Sequence, residues 1–231
     1  MRALAIGLLL LAVAGGAAEA QTPEVRIGEA TIKLVTPAGH CVMDAANPAD
    51  ARYIQIVNGL LEQSGNTFLG ATADCKQLEV WRNSTDVVLD DSFQFQTRAQ
   101  FANQDLSAMR SEVISAACAT VRSQGEQILA EAGAVAAERI QKLMEGARQD
   151  EVRFLGVLEE NKDGCYAAML QKMRTEIGTE KVQIGTIGIT IVKGKVLYVA
   201  LYSPYVDEAK IKTQYQQTRT AVEAILAANA Q

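Results

Sequence analysis

The chain has little of the chemistry that catalytic and metal sites most often use. Its 231 residues include one histidine and four cysteines, and no two cysteines have C-x-x-C spacing. A thioredoxin-like redox motif needs that spacing, and a zinc site needs ligands at closer intervals. We therefore expect no metal, no cofactor and no catalytic residue, and we expect the protein not to be an enzyme.

Aromatic residues and excess charge are also scarce. Aromatic residues make up 5% of the chain, with one tryptophan, so the core must consist mainly of aliphatic side chains. The net charge is −5, which is ordinary for a folded protein and gives no excess of positive charge to attract a polyanion. This composition argues against nucleic acid or an anionic membrane surface as the partner.

The first twenty residues have the pattern of a signal peptide. Arg2 precedes an apolar stretch from Ala5 to Ala18, and Ala18-Glu19-Ala20 fits a small-x-small cleavage site. The stretch is shorter than a membrane-spanning helix requires, although a retained anchor is the alternative. We expect a signal peptide at residues 1–20 and a single periplasmic or secreted domain at residues 21–231, with no stable membrane insertion after cleavage.

Export changes the meaning of the four cysteines. In an oxidising compartment an even number of cysteines favours disulfide bonds. Three connectivities are possible, and we favour Cys41 with Cys75 and Cys118 with Cys165, because each pair is nearest in sequence. The sequence itself does not fix the pairing.

The first half of the chain alternates strands with one clear helix. Asn47 and Pro48 suit the cap and first position of a helix that Gly65 can close. Strands are predicted on both sides of it, in the segments TIKLVTPAG, TFLGATAD, LEVWR and VVLDDSFQFQTR.

The middle of the chain, residues 105–148, is predicted to be a helical insertion. It has no proline, is rich in helix-forming residues, and carries a stripe of small and aliphatic side chains at three- and four-residue steps. One long helix, or two broken near Gly125 or Gly133, would fit. This region either covers the sheet or forms a partner-binding surface, for which Ile128 and Val135 are the candidate residues.

The last third predicts two hairpins and a helix. The turns are Asp163-Gly164 and Lys193-Gly194, and Ile191 should pair with Val196. Neither face of the second hairpin is polar, as it would be if one side faced water. From Asp207 onwards an apolar seam has helical spacing. The predicted fold is therefore α+β, an antiparallel sheet covered by helices on both faces, with a long central helical region.

The order of the C-terminal elements resembles that of PsbP-like proteins. The resemblance rests on strand, Lys193-Gly194 turn, strand and then SPYVDEAKIKTQYQQTRTAVEAI, and extends in outline to residues 41–81. It implies an antiparallel sheet between helices and an exported accessory role. The long helical region departs from compact members, and no binding residue of that group can be assigned by position.

The remaining polar motifs are too isolated in sequence to define a site. His40 and Cys41 are neighbours on a predicted strand and would point to opposite faces. The pairs Asp90-Asp91 and Glu159-Glu160 have the pattern of solvated charges beside turns. The glycines of IGTIGIT, residues 184–190, lack the Lys-Ser/Thr ending of a P-loop and are typical of close backbone approach. Asn83-Ser84-Thr85 is a glycosylation sequon that predicts an exposed loop.

Three functions remain open from sequence. We favour an exported accessory or interaction protein that binds a protein partner. The alternative is a protein that binds a small apolar ligand in a pocket between sheet and helices. A hydrolase is the third, and it would require His40 to meet a free cysteine and a carboxylate.

Overall fold

The protein is built on a seven-stranded antiparallel sheet beside a separate two-stranded hairpin. The computed structural model describes residues 22–84, 89–143, 148–174 and 180–230. Its strands are β1 (Glu24–Ile27), β2 (Ala30–Lys33), β3 (His40–Val42), β4 (Asn66–Asp74), β5 (Ser92–Arg98), β6 (Arg148–Glu160), β7 (Cys165–Arg174), β8 (Glu180–Val192) and β9 (Lys195–Pro204). The sheet order is β3-β4-β5-β9-β8-β7-β6, and β1 pairs with β2.

Helices cover both faces of this sheet, which confirms the predicted α+β class. The helices are α1 (Pro48–Gln63), α2 (Cys75–Asn83), α3 (Arg110–Leu143) and α4 (Glu208–Asn229). On one face, which we call the α4 face, α4 and the β1–β2 hairpin share a core with β5, β8 and β9. On the opposite α3 face, α3 packs on β6 to β8 while α1 and α2 pack on β4.

The β8–β9 hairpin has the predicted turn and register. Lys193 and Gly194 both have positive φ angles, and Ile191 pairs with Val196. Leu197 faces α4 and Val196 faces α3, and both are buried. Neither face of this hairpin has alternating polar residues, because both faces are covered by other elements. On the α4 face these elements are α4 and, beside it, the β1–β2 hairpin.

Buried amides fasten α4 to the strands beneath it. The Gln214 side chain is fully buried, and its Nε2 donates to the carbonyl oxygens of Ile184 at 2.8 Å and Leu201 at 2.6 Å. Near the other end of α4, Asn229 exchanges two hydrogen bonds with the backbone of Lys33 in β2. The two amides therefore tie both ends of α4 to the backbone of the strands by hydrogen bonds.

The predicted strand LEVWR is wrong, because these residues lie in helix α2. The carboxylate of Asp74 accepts hydrogen bonds from the amides of Lys76 and Gln77, which starts the helix directly after β4. Helical spacing then brings Leu78 and Trp81 to the same core cluster. The first predicted helix is confirmed, with Asn47 as its cap.

The hairpin between β6 and β7 is present, but its predicted two-residue turn is wrong. Glu160 pairs with Cys165, so the loop has four residues, and Gly164 does not adopt a positive φ. The side chain of Asn161 accepts hydrogen bonds from the amides of Asp163 and Gly164. This side-chain turn replaces the left-handed geometry that Asp-Gly would have supplied.

The central helical region contains one α-helix, α3, which runs without a break through both glycines. A Cβ atom on Gly125 would lie 2.6 Å from the Phe154 ring of β6, and one on Gly133 would lie 3.4 Å from Val152. The glycines therefore allow close contact between α3 and β6. The helix forms part of the cover of the sheet, as the first of the two interpretations held.

Both favoured disulfides are present. Cys41 of β3 is bonded to Cys75 at the start of α2, and Cys118 of α3 is bonded to Cys165 of β7. The two bonds are compatible with an oxidising compartment. Within the described ranges, no helix combines the length and the apolar character needed to cross a bilayer.

Candidate functional site

His40 meets a carboxylate but no free thiol. Its Nε2 lies 3.2 Å from Oδ1 of Asp91, and its ring packs edge-on against Phe93 on the α4 face. Cys41 points to the other face and is held in its disulfide to Cys75. The histidine and a carboxylate of the arrangement that a hydrolase would need are thus together, but the cysteine lies on the other face of the sheet and is not free. Sequence reasoning missed Asp91 as the partner of His40, since 51 residues separate them.

Glu159 and Glu160 are neighbours in sequence, but their carboxylates interact with different helices. Hydrogen bonds from Tyr215 and Asn161 lower the pKa of Glu159, and Arg219 adds to this shift. Ser115 and Arg122, both on α3, lower the pKa of Glu160. Because both carboxylates are stabilised in the ionised form, neither is suited to act as an acid at neutral pH.

The other sequence motifs also have structural partners. Asp90 forms an ion pair with Lys181 at 3.0 Å. A Cβ on Gly188 would lie 2.9 Å from Val222, which confirms close approach as the role of this strand glycine. Asn83 is exposed but ends helix α2, and Thr85 lies outside the described residues.

One row of residues across the α3 face shows where the helical cover is incomplete. The register aligns, in order across five strands, Ser92, Tyr202, Gly185, Met169 and Phe154. Helix α1 covers the first end of the row, where the hydroxyls of Tyr53 and Ser92 lie 3.5 Å apart. Helix α3 covers the other end through Gly125. The middle of the row lies between the two helices.

The divergence of α1 and α3 explains this gap. The two helices contact each other, but α1 packs on β4 whereas the length of α3 follows β6. These strands are five positions apart in the sheet, which is roughly 24 Å at the usual strand spacing. Two helices in contact need only about 10 Å between their axes. A wedge of sheet surface is therefore left between them.

We call this surface the sheet valley, and define it by Met169, Ile187 and Tyr202. All three side chains are only half-buried, whereas Val199 and Leu201 on the opposite face of the same central strands are fully buried. Burial raises the pKa of Tyr202 to about 12, so its phenol stays protonated at neutral pH. The valley is thus a recessed apolar floor with a neutral hydroxyl.

Ile128 follows Gly125 on α3 by three residues and is 42% exposed. With about 3.6 residues per turn, Ile128 and Arg122 lie on opposite sides of Gly125, and Arg122 pairs with Glu160 of β6. We therefore expect Ile128 to border the sheet valley. The backbone of Val135 belongs to α3, but its side chain lies outside the described residues. That Ile128 and Val135 form an interaction surface therefore remains a prediction.

A second depression lies on the outer flank of α3. It is an open cleft of about 670 Å³ between α3 and the end of β6, and its lining includes Ser111, Ser115, Arg122, Leu158 and Lys162. The guanidinium of Arg122 is already paired with Glu160 at 2.7 Å. Among the described residues, no group of three or more metal-ligating side chains is placed to hold a metal ion.

Comparisons with known proteins give only weak structural similarity. No protein-family model matches the chain, and a search of curated proteins found no match. The chain is similar to the Ran-binding protein Mog1p of Saccharomyces cerevisiae at 10% identity and a TM-score of 0.32, over 91% of this chain and 93% of that one. A mutant of protein Mog1 gives 10% identity and a TM-score of 0.30, over 90% and 93%. We draw nothing about partners from similarity at this level.

Proposed function

We propose that this protein is an exported accessory protein that binds a protein partner through the sheet valley. The observation that carries the proposal is the partial exposure of Met169, Ile187 and Tyr202, on central strands whose opposite face is fully buried at Val199 and Leu201. Methionine and tyrosine are enriched in protein interfaces, and recessed aromatic residues often carry much of the binding energy. Ile128 adds an exposed aliphatic side chain at the rim.

Export is part of the proposal. It is supported by the signal-peptide pattern of residues 1–20 and by the two disulfides, which suit an oxidising compartment. The resemblance to PsbP-like accessory proteins belongs to the same proposal. It is supported by the order of strand, Lys193-Gly194 turn, strand and helix at the C-terminal end.

Binding of a small apolar ligand is the second candidate, and it concerns the same valley. The α4 face offers no room at the centre of the hairpin, because Gly188 lies directly beneath Val222 and beside Tyr166. The floor of the sheet valley is apolar, but the valley is open to solvent between α1 and α3. A ligand pocket usually encloses most of its ligand. The open shape therefore favours a protein partner.

The test is capture of partners from the exported fraction of the organism's own cells by the mature protein. Ile128→Asp should reduce capture of a specific protein at least about tenfold, since a rim charge would have to be buried against an apolar surface. Gln217→Asp, on the exposed side of α4, is the matched control and should capture as much as the unchanged protein. Equal melting temperatures would show that both variants are folded.

Two results would contradict the proposal. One is equal capture by Ile128→Asp, Met169→Glu and the unchanged protein. The other is a small molecule that co-purifies with the unchanged protein in native mass spectrometry and is lost from Met169→Glu, with no protein captured. That second result would establish the ligand-binding alternative.

A further inference from the structure

The two disulfides differ sharply in their access to solvent. Cys118 and Cys165 are both 0% exposed and pack among Ile114 and Ile189, between α3 and the sheet. Cys41 and Cys75 are only half-buried. A thiolate must reach a sulfur atom to exchange with a disulfide, so access controls the rate. The Cys41–Cys75 bond is therefore the more accessible of the two to an external thiolate in the folded protein.

The position of Cys41–Cys75 in the fold adds to this difference. Cys41 is the middle residue of β3, a three-residue strand at the edge of the sheet, and Cys75 is the first residue of α2. Short edge elements open locally at a low free-energy cost compared with the centre of a sheet. Cys165, in contrast, lies on β7 between two long strands.

Other contacts would hold β3 and α2 in place if this bond were broken. Asp50 of α1 accepts hydrogen bonds from the guanidinium of Arg82 in α2. Leu78 is fully buried in a core cluster with Met43 and Ala73. Loss of the bond therefore loosens one edge of the domain and leaves the remaining sheet paired.

We infer that Cys41–Cys75 is a site of thiol–disulfide exchange with external thiols, whereas Cys118–Cys165 is a structural bond. An external thiolate attacks one sulfur, forms a mixed disulfide and releases the other cysteine as a thiolate, which takes a proton from water. A second external thiolate then attacks the sulfur of the bound thiol and releases the remaining cysteine as a thiolate, which takes a proton, while the two external thiols leave joined as a disulfide. Overall the protein disulfide is reduced to two thiols, and two thiol molecules are oxidised to one disulfide.

As a consequence, thiols outside the protein can change the edge of the sheet at β3 and α2 by reducing this bond. In the reduced form α2 loses its covalent bond to β3, and two thiols lie at the sheet edge. The core under α4 keeps its packing, because its buried residues lie outside β3 and α2. The inference is independent of partner binding at the sheet valley, which lies three strands or more from β3.

The test is timed reduction of the folded protein by glutathione or dithiothreitol, followed by alkylation and peptide mass spectrometry. Cys41 and Cys75 should be alkylated at least about a hundredfold faster than Cys118 and Cys165, since core sulfurs react only from rarely populated open states. In concentrated guanidinium chloride the two pairs should react at similar rates. Equal rates in native buffer, or faster reduction of Cys118–Cys165, would overturn the inference.

Hydrogen exchange separates local opening from unfolding. After selective reduction, amide protection should fall in β3 and α2 and stay unchanged in β7, β8, β9 and α4. Loss of protection throughout the chain would show that reduction requires global unfolding, which contradicts the inference. A glutathione adduct on Cys41 or Cys75 in the folded protein would identify the mixed disulfide directly.

Discussion

Replacement of Asp50 by alanine should lower the free energy of unfolding by about 3 kcal/mol, the lower end of the cost of breaking a buried ion pair. The Asp50 side chain is fully buried and accepts hydrogen bonds from the guanidinium of Arg82 and the amide of Asp44. Its removal leaves a cation and a backbone amide without their acceptor. The Arg82 side chain is 29% exposed, so water can take over part of the lost interaction.

Two variants sharpen this test. Asp44→Ala removes an exposed carboxylate from the loop that precedes α1 and should change the free energy of unfolding by less than about 1 kcal/mol. Asp50→Asn keeps an acceptor for the amide of Asp44 and should lie between the two. Urea unfolding followed by circular dichroism measures all three. A loss for Asp50→Ala no larger than that for Asp44→Ala would contradict the role assigned to this ion pair.

Replacement of Gly188 by valine should also cost about 3 kcal/mol, at the upper end for overpacking of a core. A Cβ atom at this position would lie 2.9 Å from Val222 of α4 and 3.1 Å from the ring of Tyr166. Both neighbours are fully buried, so neither side chain can move aside into solvent. The added carbons must therefore push α4 away from the sheet.

Gly70→Val is the matched control for this substitution. Gly70 also lies in a strand, β4, but a Cβ there would meet only Leu34, at an ordinary 3.9 Å. We expect a change within about 1 kcal/mol, because strands favour valine and no contact must yield. Similar losses for the two variants in urea unfolding would show that α4 does not pack closely on β8.

The parts of the fold that could be predicted are those with a local signal. The Lys193-Gly194 turn needs left-handed geometry at two successive residues, and both adopt it. The Asn47-Pro48 start of α1 depends on neighbouring backbone amides. In each case the residues that determine the structure lie next to each other in sequence.

Errors arose where a side chain competed with the local pattern. The segment after Cys75 has the composition of a strand, but capping by Asp74 starts a helix. Asp163-Gly164 has the composition of a tight turn, but the side chain of Asn161 accepts hydrogen bonds from the amides of both residues and fixes a longer loop. The pattern of a short apolar segment does not distinguish a strand from a helix. A capping side chain then determines which of the two forms.

The candidate site was largely hidden from sequence analysis. Met169, Ile187 and Tyr202 belong to three different strands, and only the register of those strands brings them to one surface. The sheet valley results from the angle between α1 and α3, which no spacing of residues encodes. Ile128 was predicted on an interaction surface and is exposed in the structure, while its role in binding is still a prediction.

Site-specific photo-crosslinking tests the central claim most directly. A benzophenone amino acid is placed at Ile128, at Met169 or at Gln217, and the protein is irradiated in the exported fraction of the organism's own cells. We expect Ile128 and Met169 to give an adduct with the same protein, and Gln217 on α4 to give none. An adduct of equal yield from all three positions, or from Gln217 alone, would contradict the sheet valley as the binding surface.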